Sequence, residues 1–252
     1  MIDKTKYFSP ENQLKYLSAS QIKSFLSCED CALAEIKGEY EREKTTALLV
    51  GSYVDAYFEG SLDIFKAENP EVFKKDGNLK SDYLQAERII ARVERDAMFM
   101  KYMSGEKQVI MTGKIEGAPF KIKIDSYHAG KAIVDLKVVK DIKNIWSNGK
   151  YINFVDFWRY DIQGAIYQEI VRQNTGEKLP FFLAVATKEK ETDIAILNIP
   201  QDVLDAALEE VKAVSPRYHS IKNGVTIPLK CGKCDYCKSK KVITEIIDYR
   251  GI

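Results

Sequence analysis

The chain has 252 residues, 45% hydrophobic and 30% charged, with 38 Lys and Arg against 37 Asp and Glu for a formal net charge of +1. That length and apolar content can build a substantial core and exclude disorder as the global state. The balance excludes a uniformly basic nucleic-acid coat and an acidic solvating tail, but leaves room for a local basic groove. Three charges and no apolar run occupy the first ten residues, and no stretch approaches the ~18 apolar residues of a membrane span, so the sequence predicts a cytoplasmic protein.

Ser18 or Ser20 can cap a helix whose apolar residues Ile22, Phe25, Leu26, Leu33 and Ile36 recur at near-helical spacing up to Gly38, with a break near Ser27. Leu49, Tyr53 and Tyr57, four apart, predict a second helix ending at Gly60. Residues 61–80 read as loop, punctuated by Asn69-Pro70 and Asp76-Gly77, and 81–103 as one charged helix. The period then changes to two, and turns at Glu116-Gly117 and Ala129-Gly130 divide 107–115, 119–127 and 131–139 into an antiparallel meander. A helix over 154–174, strands over 181–188 and 192–199 and a helix over 201–220 follow. The economical reading is a single α/β domain over 1–252: N-terminal helices to about 103, a sheet-and-helix core over about 107–220, and a Cys- and Lys-rich end from about 228.

Alternation puts Asp135 and Lys137 on one face of the third predicted strand and Leu136 on the other. Asp125, ten residues earlier across a turn, can bring a second carboxylate to that face. Two carboxylates suit Mg²⁺ or Mn²⁺, with the Leu136 carbonyl as a further oxygen ligand, and Lys137 can stabilise charge in phosphodiester hydrolysis. The triplet alone is weak, since about six acid-x-base triplets arise by chance in this composition. A solvated cross-strand ion pair is the plain alternative. Gln163 and Tyr167 lie four apart on the following helix, with Tyr160 one turn earlier, and their amide and hydroxyl can donate to phosphate or water.

The segments SASQIKSFLSC, GSYVDAYFEG, KIKID, IVDLK and QGAIY, in that order over about 17–240, resemble the PD-(D/E)XK nucleases of the RecB-like and λ-exonuclease-like branch, most closely the phage-type RecE (exonuclease VIII) group. The resemblance implies a restriction-endonuclease-like core, a mixed sheet flanked by helices, and a Mg²⁺- or Mn²⁺-dependent deoxyribonuclease. Asp125 and Asp135 resemble its metal-binding acids, Lys137 its motif lysine, and Gln163 with Tyr167 its helix motif. Asp55 stands where many RecB-like members have His and some λ-like members an acid, and it would also hold the metal. By analogy the protein would degrade duplex DNA from 5′ ends as a homo-oligomeric ring, supplying a single-strand annealing recombinase. Ser18, Ser20 and Lys23 are candidates for a 5′ phosphate, against simple helix capping. Competing expectations are a RecB-like endonuclease or single-strand exonuclease, an inactive DNA-binding or assembly module, and a metal-stapled structural protein.

Five cysteines in a reducing compartment favour metal ligation or burial over disulfides. Cys231, Cys234 and Cys237 crowd three thiols into seven residues and need a fourth ligand. Cys28 is the candidate by resemblance, because AddB-type and some CRISPR-associated nucleases join one early cysteine to a late cluster around [4Fe–4S]. Cys31 or His219 would give a Zn²⁺ site instead, and reduced, unligated thiols remain the third option.

Overall fold

A computed structural model describes residues 2–147, 149–244, 246 and 248–251. After α1 (Pro10–Lys15), Ser18 caps α2 (Ala19–Ser27) by accepting the Gln21 N–H, and the extended backbone of Cys28 separates α2 from α3 (Glu29–Lys37). Thr45 caps α4 (Thr46–Glu59). α5 (Leu62–Glu68) occupies part of the stretch expected to be loop; with Phe65 as its one buried residue it has too little apolar periodicity to stand out. The helix expected over 81–103 is two, α6 (Leu84–Glu94) and α7 (Ala97–Tyr102), because extended Asp96 accepts the Phe99 N–H and restarts the helix.

β1 (Val109–Ile115) and β2 (Ala118–Ile124) form an antiparallel ladder of their own. The strand expected over 119–127 breaks at Asp125, and the chain resumes as β3 (Ser126–His128), which pairs antiparallel with β4 (Ala132–Val139). The expected three-strand meander is therefore split between two sheets. A small hairpin, β5 (Ile145–Ser147) and β6 (Lys150–Ile152), and the short α8 (Phe154–Phe157) precede α9 (Tyr160–Thr175). α9 crosses back so that β7 (Phe181–Thr187) pairs parallel with β4, and β8 (Ile194–Asn198) pairs antiparallel with β7. The mixed sheet has the order β3-β4-β7-β8. α10 (Gln201–Lys222) and α11 (Asp235–Ser239) complete the chain order.

Alternation along β4 sorts the core. Ile133 joins Ile162, Ile166, Leu183 and Val185 under α2, α9 and α10, while Val134 and Leu136 join Val54, Ile89 and Ala184 under α4 and α6. Asp135 and Lys137 share the side of Ile133, facing α9. That helix sits close because Gly164 has no side chain: a Cβ there would lie 2.6 Å from Phe181 Cδ1 and 2.7 Å from Leu204 Cδ2. Gly164→Ala is expected to destabilise the fold by about 1–3 kcal/mol through overpacking, read as a lower denaturation midpoint; an unchanged midpoint would show that both neighbours yield.

Candidate active site

The break at Asp125 turns its carboxylate onto β4. Oδ2 accepts the Leu136 N–H at 2.9 Å, and Oδ1 accepts from Gln108 Nε2 at 3.3 Å. Asp135 is almost wholly buried; its Oδ1 accepts from Gln163 Nε2 at 2.7 Å, while Oδ2 lies against the Lys137 ammonium without a well-directed hydrogen bond. Asp55, on α4, has a buried Oδ1 with no donor, and Gln108 Oε1 is in the same condition. Gln108 also carries a left-handed φ of 56°, a costly conformation for a residue with a Cβ. Asp55, Glu59, Gln108, Asp125 and Leu136, with Phe58 and Met103, line one cleft of about 190 Å³, part of it open solvent.

Burial raises the Asp55 carboxyl to about 7. Burial, then the neighbouring Asp135 charge, holds Asp125 well above the ordinary carboxylate range. For Lys137 burial opposes charge, but the Asp135 and Asp125 carboxylates outweigh it and keep the ammonium above the usual lysine range. The Tyr160 ring lies 5.5 Å from Lys137 Nζ and 5.3 Å from Lys23 Nζ. Burial, followed by the Lys137 charge, brings Lys23 down to about 8.

Asp55, Asp125, Asp135, Leu136, Lys137 and Gln163 thus lie together. Tyr167 stands one layer away: its hydroxyl, expected to donate to phosphate or water, donates to the Lys123 carbonyl at 2.9 Å and so fixes the end of β2. Ser18 is buried and spent on capping, its hydroxyl 3.0 Å from the exposed Ser20 hydroxyl. Lys23 reaches the cluster's edge through Tyr160. Glu59, which meets Lys123 at 3.4 Å, was not anticipated, although its position four after Asp55 places both acids on one helical face. Gln108 gave no signal at all, being a lone amide ahead of the first strand.

A second cluster lies at α3 and α11. The sulfurs of Cys28, Cys231, Cys234 and Cys237 all lie within 4.8 Å of one another, with Cys28–Cys237 at 3.6 Å and Cys231–Cys237 at 3.9 Å. The Lys233 and Cys234 N–H groups point at Cys231 Sγ (3.4 and 3.3 Å), and the Cys237 N–H points at Cys234 Sγ (3.5 Å). The donors from Cys234 and Lys233 lower the Cys231 thiol to about 6, favouring the thiolate that ligates metals. These four residues can hold a metal. Cys31, near Glu35, and His219, beside Asn223, are not in the group. Arg217 clamps Glu29 through two bonds of 2.7 Å, and Glu29 also accepts the Leu229 N–H at 2.8 Å, so the segment bearing the late cysteines is tied to the start of α3.

Among the described residues no helix is long and apolar enough to cross a membrane. No curated protein matches the sequence. A solved structure named "Putative exonuclease", from Eubacterium rectale, is 52% identical with a TM-score of 0.93, over 98% of this chain and 96% of that chain. A second, SSO0001, is 13% identical with a TM-score of 0.30 over 77% of this chain and 85% of that chain, too remote to inform the fold. The sequence profile of a family described as a PDDEXK-like domain of unknown function matches residues 18–240. With its mixed sheet flanked by helices in a restriction-endonuclease-like core, the chain belongs to this PDDEXK-like family.

Proposed function

We propose that the protein is a Mg²⁺- or Mn²⁺-dependent exodeoxyribonuclease that hydrolyses phosphodiester bonds at duplex DNA ends in the 5′→3′ direction. The observation that carries the reading is the buried Asp55 Oδ1, which has no hydrogen-bond donor, in one cleft with Asp125 and near Asp135, whose Oδ2 has only the half-buried Lys137 ammonium against it. An anionic oxygen left without donors away from water is costly unless a cation accompanies it, and hard oxygen donors suit Mg²⁺ or Mn²⁺. The residues present therefore fit the ion. Asp55, Asp125 and Asp135 would hold it, and the Leu136 carbonyl is available on the same strand edge as the N–H given to Asp125.

A divalent cation at these acids supplies Lewis-acid polarisation and neutralises charge on the phosphate. Lys137, kept protonated by its carboxylate neighbours, holds a positive charge at the reacting centre and donates to oxygen there; it is a charge stabiliser and not a base. Gln163 holds Asp135 in one rotamer, and Tyr167 fixes the strand end that delivers Asp125. The homologous putative exonuclease of known structure and the resemblance to RecE-type enzymes support ended DNA as substrate. We extend this to one nuclease domain acting in the cytoplasm, as a homo-oligomeric ring in phage-type recombination with a single-strand annealing recombinase. Lys23 with Ser20 would meet the 5′ phosphate.

At the cysteines, a single tetrahedral ion with Zn–S near 2.3 Å sets its sulfurs ~3.8 Å apart. A [4Fe–4S] cubane puts each thiolate on a different iron and so spreads them farther. Separations of 3.6 and 3.9 Å favour one ion, and we assign Zn²⁺ in preference to Fe–S.

Incubating the protein with linear duplex labelled at its 5′ or 3′ ends, with and without Mg²⁺, tests the activity: early release of the 5′ label only with the metal is expected. Cleavage of closed circular DNA would replace the reading with an endonuclease, and binding without cleavage would leave a DNA-binding module. Asp125→Asn, Asp135→Asn and Lys137→Ala are each expected to lower hydrolysis by on the order of 10²–10³-fold or more with unchanged circular dichroism. Full activity in any one removes that residue from the site. Elemental analysis is expected to find zinc and no labile sulfide, with Cys231→Ser/Cys234→Ser losing the zinc and melting at lower temperature; a brown protein with iron and sulfide would overturn the assignment.

A further inference from the structure

The chain leaves β4 just after Lys137 and returns at Tyr160, whose ring is 5.5 Å from Lys137 Nζ. Whatever lies between is an excursion that begins and ends at the carboxylate cluster. Its base is anchored: Phe154 is buried, and Ile142, Ile145 and Val155 pack on the core beneath α9. Its outer part is built the other way. Trp146 and Tyr151, directly opposite across the β5–β6 ladder, are 62% and 69% exposed with ring centroids 4.9 Å apart at 67°, and Trp158 is 52% exposed.

A two-stranded ribbon is marginal alone, and its cross-strand aromatic pair helps hold it. That need would be met equally by rings lying flat on the protein, whereas these rings stand in solvent. The same excursion carries the exposed side chains of Lys140, Lys143 and Lys150, of which Lys143 meets Glu189 at 3.3 Å while Lys140 and Lys150 make no ion pair among the described residues. Exposed aromatic faces among lysines are the chemistry that takes unpaired nucleotides: bases stack on the rings in a sequence-tolerant way and ammonium groups meet the phosphates.

We propose that the β5–β6 hairpin, with Trp158 beside it, is a stacking platform for unpaired nucleotides of a DNA strand running to or from the Asp135–Lys137 centre. This deepens the nuclease reading and rests on it for the identity of the ligand. It also gives the site a preference for frayed or single-stranded ends, because a base within a duplex offers no free face to an aromatic ring.

Trp146 and Trp158 are the chain's two tryptophans, so Trp158→Phe leaves Trp146 as the sole reporter. The experiment titrates this variant with an unlabelled oligothymidylate in EDTA, where hydrolysis cannot occur, and follows indole emission. In parallel, anisotropy of a labelled oligothymidylate measures binding by an independent signal. Saturable quenching that tracks the anisotropy is expected, as is a loss of about tenfold or more in single-strand affinity in Trp146→Ala/Tyr151→Ala. On a substrate with a single-stranded overhang, that double variant should raise KM while leaving kcat near its starting value.

Anisotropy that reports tight binding while Trp146 emission stays unchanged would overturn the platform and leave the nuclease reading standing. Absence of oligothymidylate binding by anisotropy would also overturn the platform, while the nuclease reading stands or falls on the end-labelled duplex with and without Mg²⁺. Emission that changes with protein concentration alone would show that the rings meet a second copy of the chain, and the proposal would fall. The fluorescence arm needs no alteration of the hairpin, so it decides the question even if the double variant does not fold.

Discussion

The hydrogen bond from the Leu136 N–H to Asp125 Oδ2 is the joint on which the centre depends. β2 and β4 belong to different sheets, and at their closest approach a side-chain carboxylate stands in for a ladder partner. By leaving the β conformation at Asp125, the chain frees that carboxylate to point along the sheet edge, where it meets Gln108 as well. If β2 had run straight into β3, Asp125 would have alternated as an ordinary strand residue and the cleft against α4 would have been filled by a continuous ladder. A local breach of regular structure thus creates the place where acids can gather.

Gathering them has a cost that the fold distributes over several elements. Asp135 is satisfied on one oxygen by Gln163 and faces the Lys137 ammonium on the other; Asp125 takes a backbone and an amide donor; Asp55 has no donor for Oδ1. Replacing any one partner would leave the remaining charge buried and uncompensated, which is far more destabilising than the loss of an exposed pair. The two helices that contribute, α4 and α9, approach from opposite faces of the mixed sheet, so the site is a contact between its two apolar cores.

Much of this was legible in the sequence because alternation fixes which strand residues share a face. The shared face of Asp135 and Lys137 required only the period of two and the shared stripe of Gln163 and Tyr167 only helical spacing, but singling them out among chance matches took the resemblance of five segments in order. What stayed hidden was decided by tertiary contact. The split at Asp125 leaves no Gly or Pro signature, the restart at Asp96 looks like one more acid in a charged helix, and Gln108 joins the site through a left-handed backbone that no neighbouring residue announces. Tyr167 shows the opposite failure: its spacing was right, but a carbonyl of β2 takes its proton before any substrate could. Spacing grouped Cys231, Cys234 and Cys237 and the resemblance pointed to Cys28, whereas excluding Cys31 and His219 and weighing one ion against a cluster required the distances themselves.

The clamp between the chain's two ends bears on how the protein is made. Cys28 touches Cys237 across 209 positions, and Arg217 holds Glu29 across 188. On a ribosome, α2 and α3 emerge long before the segments that seal them, so the early helices must wait with Cys28 and Glu29 unpartnered until Arg217 and Cys237 have been synthesised. Such distant closure is entropically slow. Lys23, whose ammonium meets the Tyr160 ring, lies on the same α2. Closure over α2 and α3 thereby waits on Arg217 and the late cysteines, so a chain stalled before them would hold the early helices without their seal.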